Sequence, residues 1–191
     1  MSKGRMEAFS DGVIAILITI MVLGLKVPDS ADLSGLVPLA PVFLSYVLSF
    51  IYLGTYWNNH HHMLQAIKNV DGRVLWANLH LLFWLSLFPF ATAWTGENKF
   101  ASWPVAVYGS VLLFAAIAYF ILSRTLIALH GRDSVLANAL GRDLKGKISI
   151  LIYLVAIPLA FVNSWIAFSL YILVAIVWFL PDRRIEKAFP R

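Results

Sequence analysis

The sequence predicts an all-α fold, a polytopic membrane domain of six transmembrane helices with both termini on the inner side. Three observations lead there. Hydrophobic residues make up 60% of the 191 and charged residues only 13%, where soluble domains carry about 25% charged residues. The hydrophobic residues gather in charge-free stretches separated by short polar segments, the pattern of helices crossing a bilayer. With six crossings, all of the 15 lysines and arginines except Lys26 and Lys99 fall on one side, and that bias marks the cytoplasmic side. Residues 1–191 read as one membrane domain with no internal repeat.

The first uncharged run, Gly12 to Leu25, holds 14 residues, about 21 Å as a helix at roughly 1.5 Å per residue. A lipid-facing helix has about 30 Å of hydrocarbon to cross. With its flanks the first span is placed at 9–27. Asp11 at its edge and Thr19 at its centre suit a helix surrounded by protein or water better than one facing lipid. Asp11, and the lack of a small-x-small site after Leu25, argue against a cleaved signal peptide. The second span is placed at 35–59, the third at 74–96 and the fourth at 101–123. The stretch from Ile148 to Pro181 has 34 residues, about 51 Å as one helix, too long for one crossing. Pro158, Asn163 and Ser164 predict a reversal there, giving spans 148–163 and 165–181. Pro89 and Pro158 are candidate breaks in the third and fifth spans. Between Arg124 and Lys147, apolar residues at near-helical spacing (Leu126, Ile127, Leu129, Val135, Leu136, Leu140) predict an amphipathic interfacial helix.

Five spans would put the basic tail (Arg183, Arg184, Lys187, Arg191) outside, against the charge rule. Six spans leave Asp29, Asp32 and Glu97 in outer loops. The net charge of +5 sits in membrane-flanking segments, so no nucleic-acid partner is expected. There is no cysteine, which excludes disulfides and thiolate metal sites. His60, His61 and His62 point about 100° apart on a helix, so they do not converge on a metal. His80 and His130 add no ligand motif. No structural metal, cofactor or catalytic group is expected. Trp94, Trp103 and Trp165 near the outer surface, and Trp57, Trp76 and Trp178 near the inner one, fit interfacial belts.

Gly12, Ile16, Thr19, Leu23 and Lys26 recur at helical spacing and form one face of the first helix; backward, the face meets Phe9 and Arg5. It is either a packing stripe or a pore lining. As a lining it makes a narrow apolar tube with a ring of threonine hydroxyls, which one chain cannot form alone, so that reading requires a homo-oligomer. Arg5, Ser10 and Asp11 lie at the same depth as Asn59, His60 and His61. A carboxylate there needs donors or a cation. The expectation is a polar clamp, with Ser10 and Asp11 held by His or Asn of the second span and Arg5 as a further partner.

These residues resemble a family. Arg5-x-x-x-Phe9-Ser10-Asp11 is similar to the signature of the transmembrane protein 175 family, and Ile16 and Thr19 follow the aspartate at that family's spacing. Trp57-Asn58-Asn59-His60-His61, Asn78 and Pro89-Phe90 resemble its second- and third-helix patterns. The resemblance implies a homotetramer of single six-helix units around a pore lined by the first helix. By position, Ile16 is the hydrophobic constriction, Thr19 the hydroxyl layer nearest the permeant potassium, and Leu23 a further apolar ring, with Gly12 on the same face. It implies a potassium-preferring cation channel that conducts passively, with monovalent cations, the lipid bilayer and its own copies as partners. A single-unit chain resembles the prokaryotic branch, which implies the cell membrane. The alternative is a proton-leak pathway or an ion-coupled secondary transporter. Charges near helix ends and the absence of repeats weigh against the transporter.

Overall fold

The apolar stretches fold as helices because a backbone in hydrocarbon must satisfy its own N–H and C=O groups. The computed structural model describes residues 2–131, 133–140 and 143–179. Within them α1 is Lys3–Leu23, α2 is Ala40–Gln65, α3 is Gly72–Ser86 and α4 is Phe88–Glu97. Then come α5, Ser102–His130; α6, Val135–Leu140; α7, Leu144–Leu159; and α8, Ser164–Phe179. A 3-10 segment, Leu33–Leu39, leads into α2. Among the described residues, four stretches are long and apolar enough to cross a membrane: Lys3–Leu23, Leu33–Gln65, Gly72–Glu97 and Ser102–His130. The two last helices have 16 residues each.

Several boundaries differ from the expected ones. The first helix begins at Lys3, well before residue 9, and stops at Leu23, so it has 21 residues and a length of about 31 Å. The charge-free run understates it because Glu7 and Asp11 find partners on α2 and remain helical. Lys26 lies beyond the helix, so the candidate face is helical only through Leu23. The second helix runs on to Gln65, which puts His60 and His61 inside it rather than at its end. The third stretch is broken at Leu87; Pro89 sits in the first turn of α4, where a missing N–H is tolerated. Pro158 breaks nothing, since it lies in the last turn of α7 before the reversal at 160–163. The separate interfacial helix expected over 124–147 is absent among the described residues. Arg124 to His130 continue α5, Val135–Leu140 is a six-residue helix, and Leu144 already opens α7. The basic tail and the end of the last expected span lie outside the described residues.

The core is organised around α5, which packs against α3, α4, α7 and α8. Val105, Leu112, Ala115, Ala118, Leu122 and Leu126 on it are fully buried. Its small residues let neighbours approach closely, the common device of helix packing in membranes. A Cβ on Gly109 would fall on the hydroxyl and ring of Tyr171. That ring is fully buried, and its hydroxyl donates to the Val105 carbonyl at 3.3 Å, so it has nowhere to swing. Gly109→Ala is therefore expected to cost about 1–3 kcal/mol as overpacking. In detergent-solubilised protein this reads as a fall in Tm of about 2–4 °C per kcal/mol for a chain of this size.

Several polar side chains inside the bundle are paired with one another. Ser49 Oγ lies 2.6 Å from Thr92 Oγ1 and 2.8 Å from the Tyr108 hydroxyl. Tyr153 donates to the Tyr52 hydroxyl, which donates to the Tyr171 carbonyl at 2.6 Å. Outside the spans, Asp71 caps α3 by accepting the Val74 N–H at 2.9 Å. That bond, then the Arg73 guanidinium, holds its carboxyl below the ordinary aspartate range. The cap therefore contributes its full stability above the ordinary aspartate range and loses it as pH falls through the lowered pKa of the folded state.

Candidate ion-conduction site

On one side of α1, Met6, Ser10, Ile14, Leu17 and Met21 are buried and recur at helical spacing against α2, α3 and α4. The opposite side is uncovered. Arg5, Phe9, Gly12, Ile16, Thr19 and Leu23 are all exposed, Ile16 by 58% and Leu23 by 81%. Every candidate pore-lining residue thus lies on the side that this chain leaves without a partner. Thr19 Oγ1 donates to the Ile16 carbonyl at 2.9 Å. Its proton is committed to its own backbone, while the oxygen lone pairs stay available as acceptors.

Two polar seams fasten the first half of α1. One uses Lys3, Glu7 and Asp11, four residues apart and so on one side of the helix. Lys3 Nζ donates to the Ile67 carbonyl at 3.1 Å, Glu7 pairs with His61 Nδ1 at 3.1 Å, and Asp11 accepts the Trp57 indole N–H at 3.0 Å. Trp57 stacks on His61, with 6.0 Å between ring centroids, and Gln65 meets the other ring nitrogen of His61 at 2.8 Å. The second seam runs to α3. Asn78 donates to Ser10 Oγ at 2.9 Å, and its carbonyl oxygen lies 2.8 Å from His60 Nε2. Ser10 in turn donates to the Met6 carbonyl at 2.8 Å. Ser10 and His60 are fully buried and Asn78 nearly so. The second half of α1 is held by apolar packing and by a long contact from Thr92 to the Met21 sulfur, 3.8 Å.

The polar contacts around Ser10 and Asp11 use different partners from the expected ones. Ser10 reaches His60 only through Asn78. The donor to Asp11 is Trp57, not a histidine or asparagine, so Trp57 does more than mark the interface. His61 belongs to Glu7, a residue missing from the expected set. Arg5 makes no ion pair or hydrogen bond among the described residues and is exposed. Asn59 is on the far side of α2, lining a cavity with Tyr56, Tyr119, Asp143 and Trp178. Successive helical positions diverge by about 100°, so Asn59 does not share His60's side. No group of acidic, histidine or cysteine side chains able to hold a metal occurs among the described residues.

A potassium channel of Chryseobacterium sp. strain P1-3 is 54% identical over 188 residues, covering 98% of both chains. The family model described as endosomal/lysosomal potassium channel TMEM175 matches residues 5–89.

The chain belongs to the TMEM175 family.

The matched TMEM175 segment begins at Arg5 and ends at Pro89, so it contains the exposed α1 face and, Lys3 apart, both polar seams. A crystal structure titled as a lysosomal potassium-selective TMEM175 homolog from Chamaesiphon minutus superposes with a TM-score of 0.81 at 31% identity. That match covers 95% of this chain and 97% of the other. Rat TMEM175, described as an endosomal/lysosomal proton channel, is 31% identical over 71% of this chain but over only 30% of its own length. TMEM175 membership makes the chain a multi-pass membrane protein of an ion-channel family.

Proposed function

We propose that the chain is a homotetrameric, potassium-preferring cation channel of the cell membrane that conducts passively along an axis lined by α1. In this reading each subunit crosses six times, through α1, α2, α3 with α4, α5, α7 and α8, with both termini inside. The observation that carries it is the uncovered face of α1, set opposite a face locked into the bundle. Four copies facing one axis would bury Gly12, Ile16, Thr19 and Leu23 against each other and leave no apolar face of α1 in water. Ile16 then forms a constriction that gates by dewetting, and the Thr19 oxygens replace part of the ion's water. The names of the bacterial relatives favour potassium.

The deciding measurement is the reversal potential of purified protein in planar bilayers with potassium on one side and sodium on the other. A passive current reversing toward the potassium potential is expected. A flux that stops when one ion is removed would mark coupled transport instead. Thr19→Ala is expected to move the reversal potential toward zero while size-exclusion chromatography still shows the assembly, because the acceptor ring goes and the packed face stays.

Proton conduction along the same axis is the second reading, favoured by the description of the rat relative. It is separated by imposing a pH gradient under symmetrical potassium. A reversal potential that follows the proton gradient supports it, and one that stays at zero removes it.

A further inference from the structure

Among the exposed residues of α1, Arg5 is the only charged one and Thr19 the only hydroxyl. The other charges of the helix are spoken for, Lys3 by the Ile67 carbonyl, Glu7 by His61 and Asp11 by the Trp57 indole. Lys26, past the far end of the same face, lies 3.9 Å from Glu97. Of the charged residues of α1, Arg5 alone makes no hydrogen bond or ion pair among the described residues. It stands 11 residues before Ile16 on the same side of the helix, about 16 Å along the axis.

Resting on the tetrameric reading, this placement sets four guanidinium groups around the mouth of the conduction path. Rings of acidic side chains suit cation pores, whereas rings of Arg or Lys suit anions and phosphates. A bare arginine ring repels the ion that the channel conducts. The conflict disappears if the ring is occupied. Arginine presents a planar fork of donors that matches phosphate oxygens two at a time and stays charged at all relevant pH. A multivalent anion on the axis can meet several forks at once.

We propose that the four Arg5 side chains form a binding site for phosphate oxyanions at the pore mouth, and that occupancy sets the potassium current entering from that side. The phosphate can come from a soluble polyphosphate or from a lipid headgroup. Because the site is about two Debye lengths from Ile16 at physiological salt, it acts on arrival of the cation and leaves the constriction itself unchanged.

The test uses the full chain in planar bilayers of phosphatidylcholine, with tripolyphosphate added to one side at a time. Addition on the Arg5 side is expected to change the potassium current about threefold or more, an effect that shrinks as potassium chloride rises from about 0.1 to 1 M because ionic screening weakens the contact. Addition on the other side leaves the current as it was. Arg5→Gln loses the response, and Arg5→Lys keeps a weakened part of it. An Arg5-dependent response that needs only phosphatidylglycerol in place of some phosphatidylcholine identifies a headgroup as the occupant and equally supports the ring. Isothermal calorimetry of tripolyphosphate on the purified assembly, wild type against Arg5→Gln, reads binding without any current, so a failure of the conduction reading is seen separately. A response and a binding isotherm that are the same in Arg5→Gln as in wild type overturn the proposal, as does the absence of any Arg5-dependent effect of either phosphate source.

Discussion

Ile16→Asn is expected to raise potassium conductance and reduce discrimination against sodium. Ile16 is more than half exposed in the single chain, and the proposed axis runs along that exposure. A ring of isoleucines gives a passing ion no polar atom, so water withdraws and the ion meets a dewetted gap. Four amides in its place hold water and supply oxygen acceptors. Lowering the barrier by about 1.4 kcal/mol raises the rate about tenfold. Single-channel conductance and the reversal potential under opposed potassium and sodium read both effects. Unchanged conductance with unchanged selectivity would take Ile16 out of the conduction path.

Asn78→Leu is expected to loosen α1 and to destabilise the bundle. The amide of Asn78 is the only link between Ser10 on α1 and His60 on α2 among the described residues. Leucine cannot replace either bond, and His60 is left fully buried with both ring nitrogens unpartnered, since Nδ1 already lacks a partner. A buried polar group stripped of its partner costs about 1–3 kcal/mol, although pairs measured inside membranes average nearer 0.6. At about 2–4 °C per kcal/mol, Tm should fall by several degrees. The double variant Asn78→Leu, His60→Leu discriminates between bond loss and simple misfit. Removing both partners leaves no orphan, so its Tm should recover part of the loss. A double variant that melts lower than Asn78→Leu alone would show that packing, and not the amide bridge, holds the site.

The sequence made the helical stretches legible wherever charge was absent, but it hid their ends. Arg5 and Glu7 interrupt an apolar count without interrupting a helix, because one is exposed and the other paired. The exposed face of α1 was legible as a spacing, since Gly12, Ile16, Thr19 and Leu23 need only a helical period to be grouped. The partners of Ser10 and Asp11 were not, because they depend on which sides of three helices meet. Asn59 and Asn78 are alike as residues, and only packing decides that Asn78 bridges Ser10 of α1 to His60 while Asn59 turns to the Tyr119 cavity. Trp57 fits an interfacial belt by depth, and its indole N–H reveals a second role only once Asp11 is beside it. Glu7 carried a usable signal, standing one turn after Lys3 and one turn before Asp11.

The unequal fastening of α1 makes it a cantilever. Its clamped end is the stretch from Lys3 to Asp11, where hydrogen bonds resist rotation, and its arm is the stretch beyond, held mainly by the apolar packing of Ile14, Leu17 and Met21. Displacement under a given tilt grows with distance from the clamp. With about 1.5 Å of rise per residue, a swing of about 5° around Ser10 carries Ile16 roughly 0.8 Å and Leu23 roughly 1.7 Å. In the proposed tetramer a given tilt would therefore change the gap at Leu23 about twice as far as the one at Ile16, and the smaller change falls where Thr19 Oγ1 is tethered to the Ile16 carbonyl.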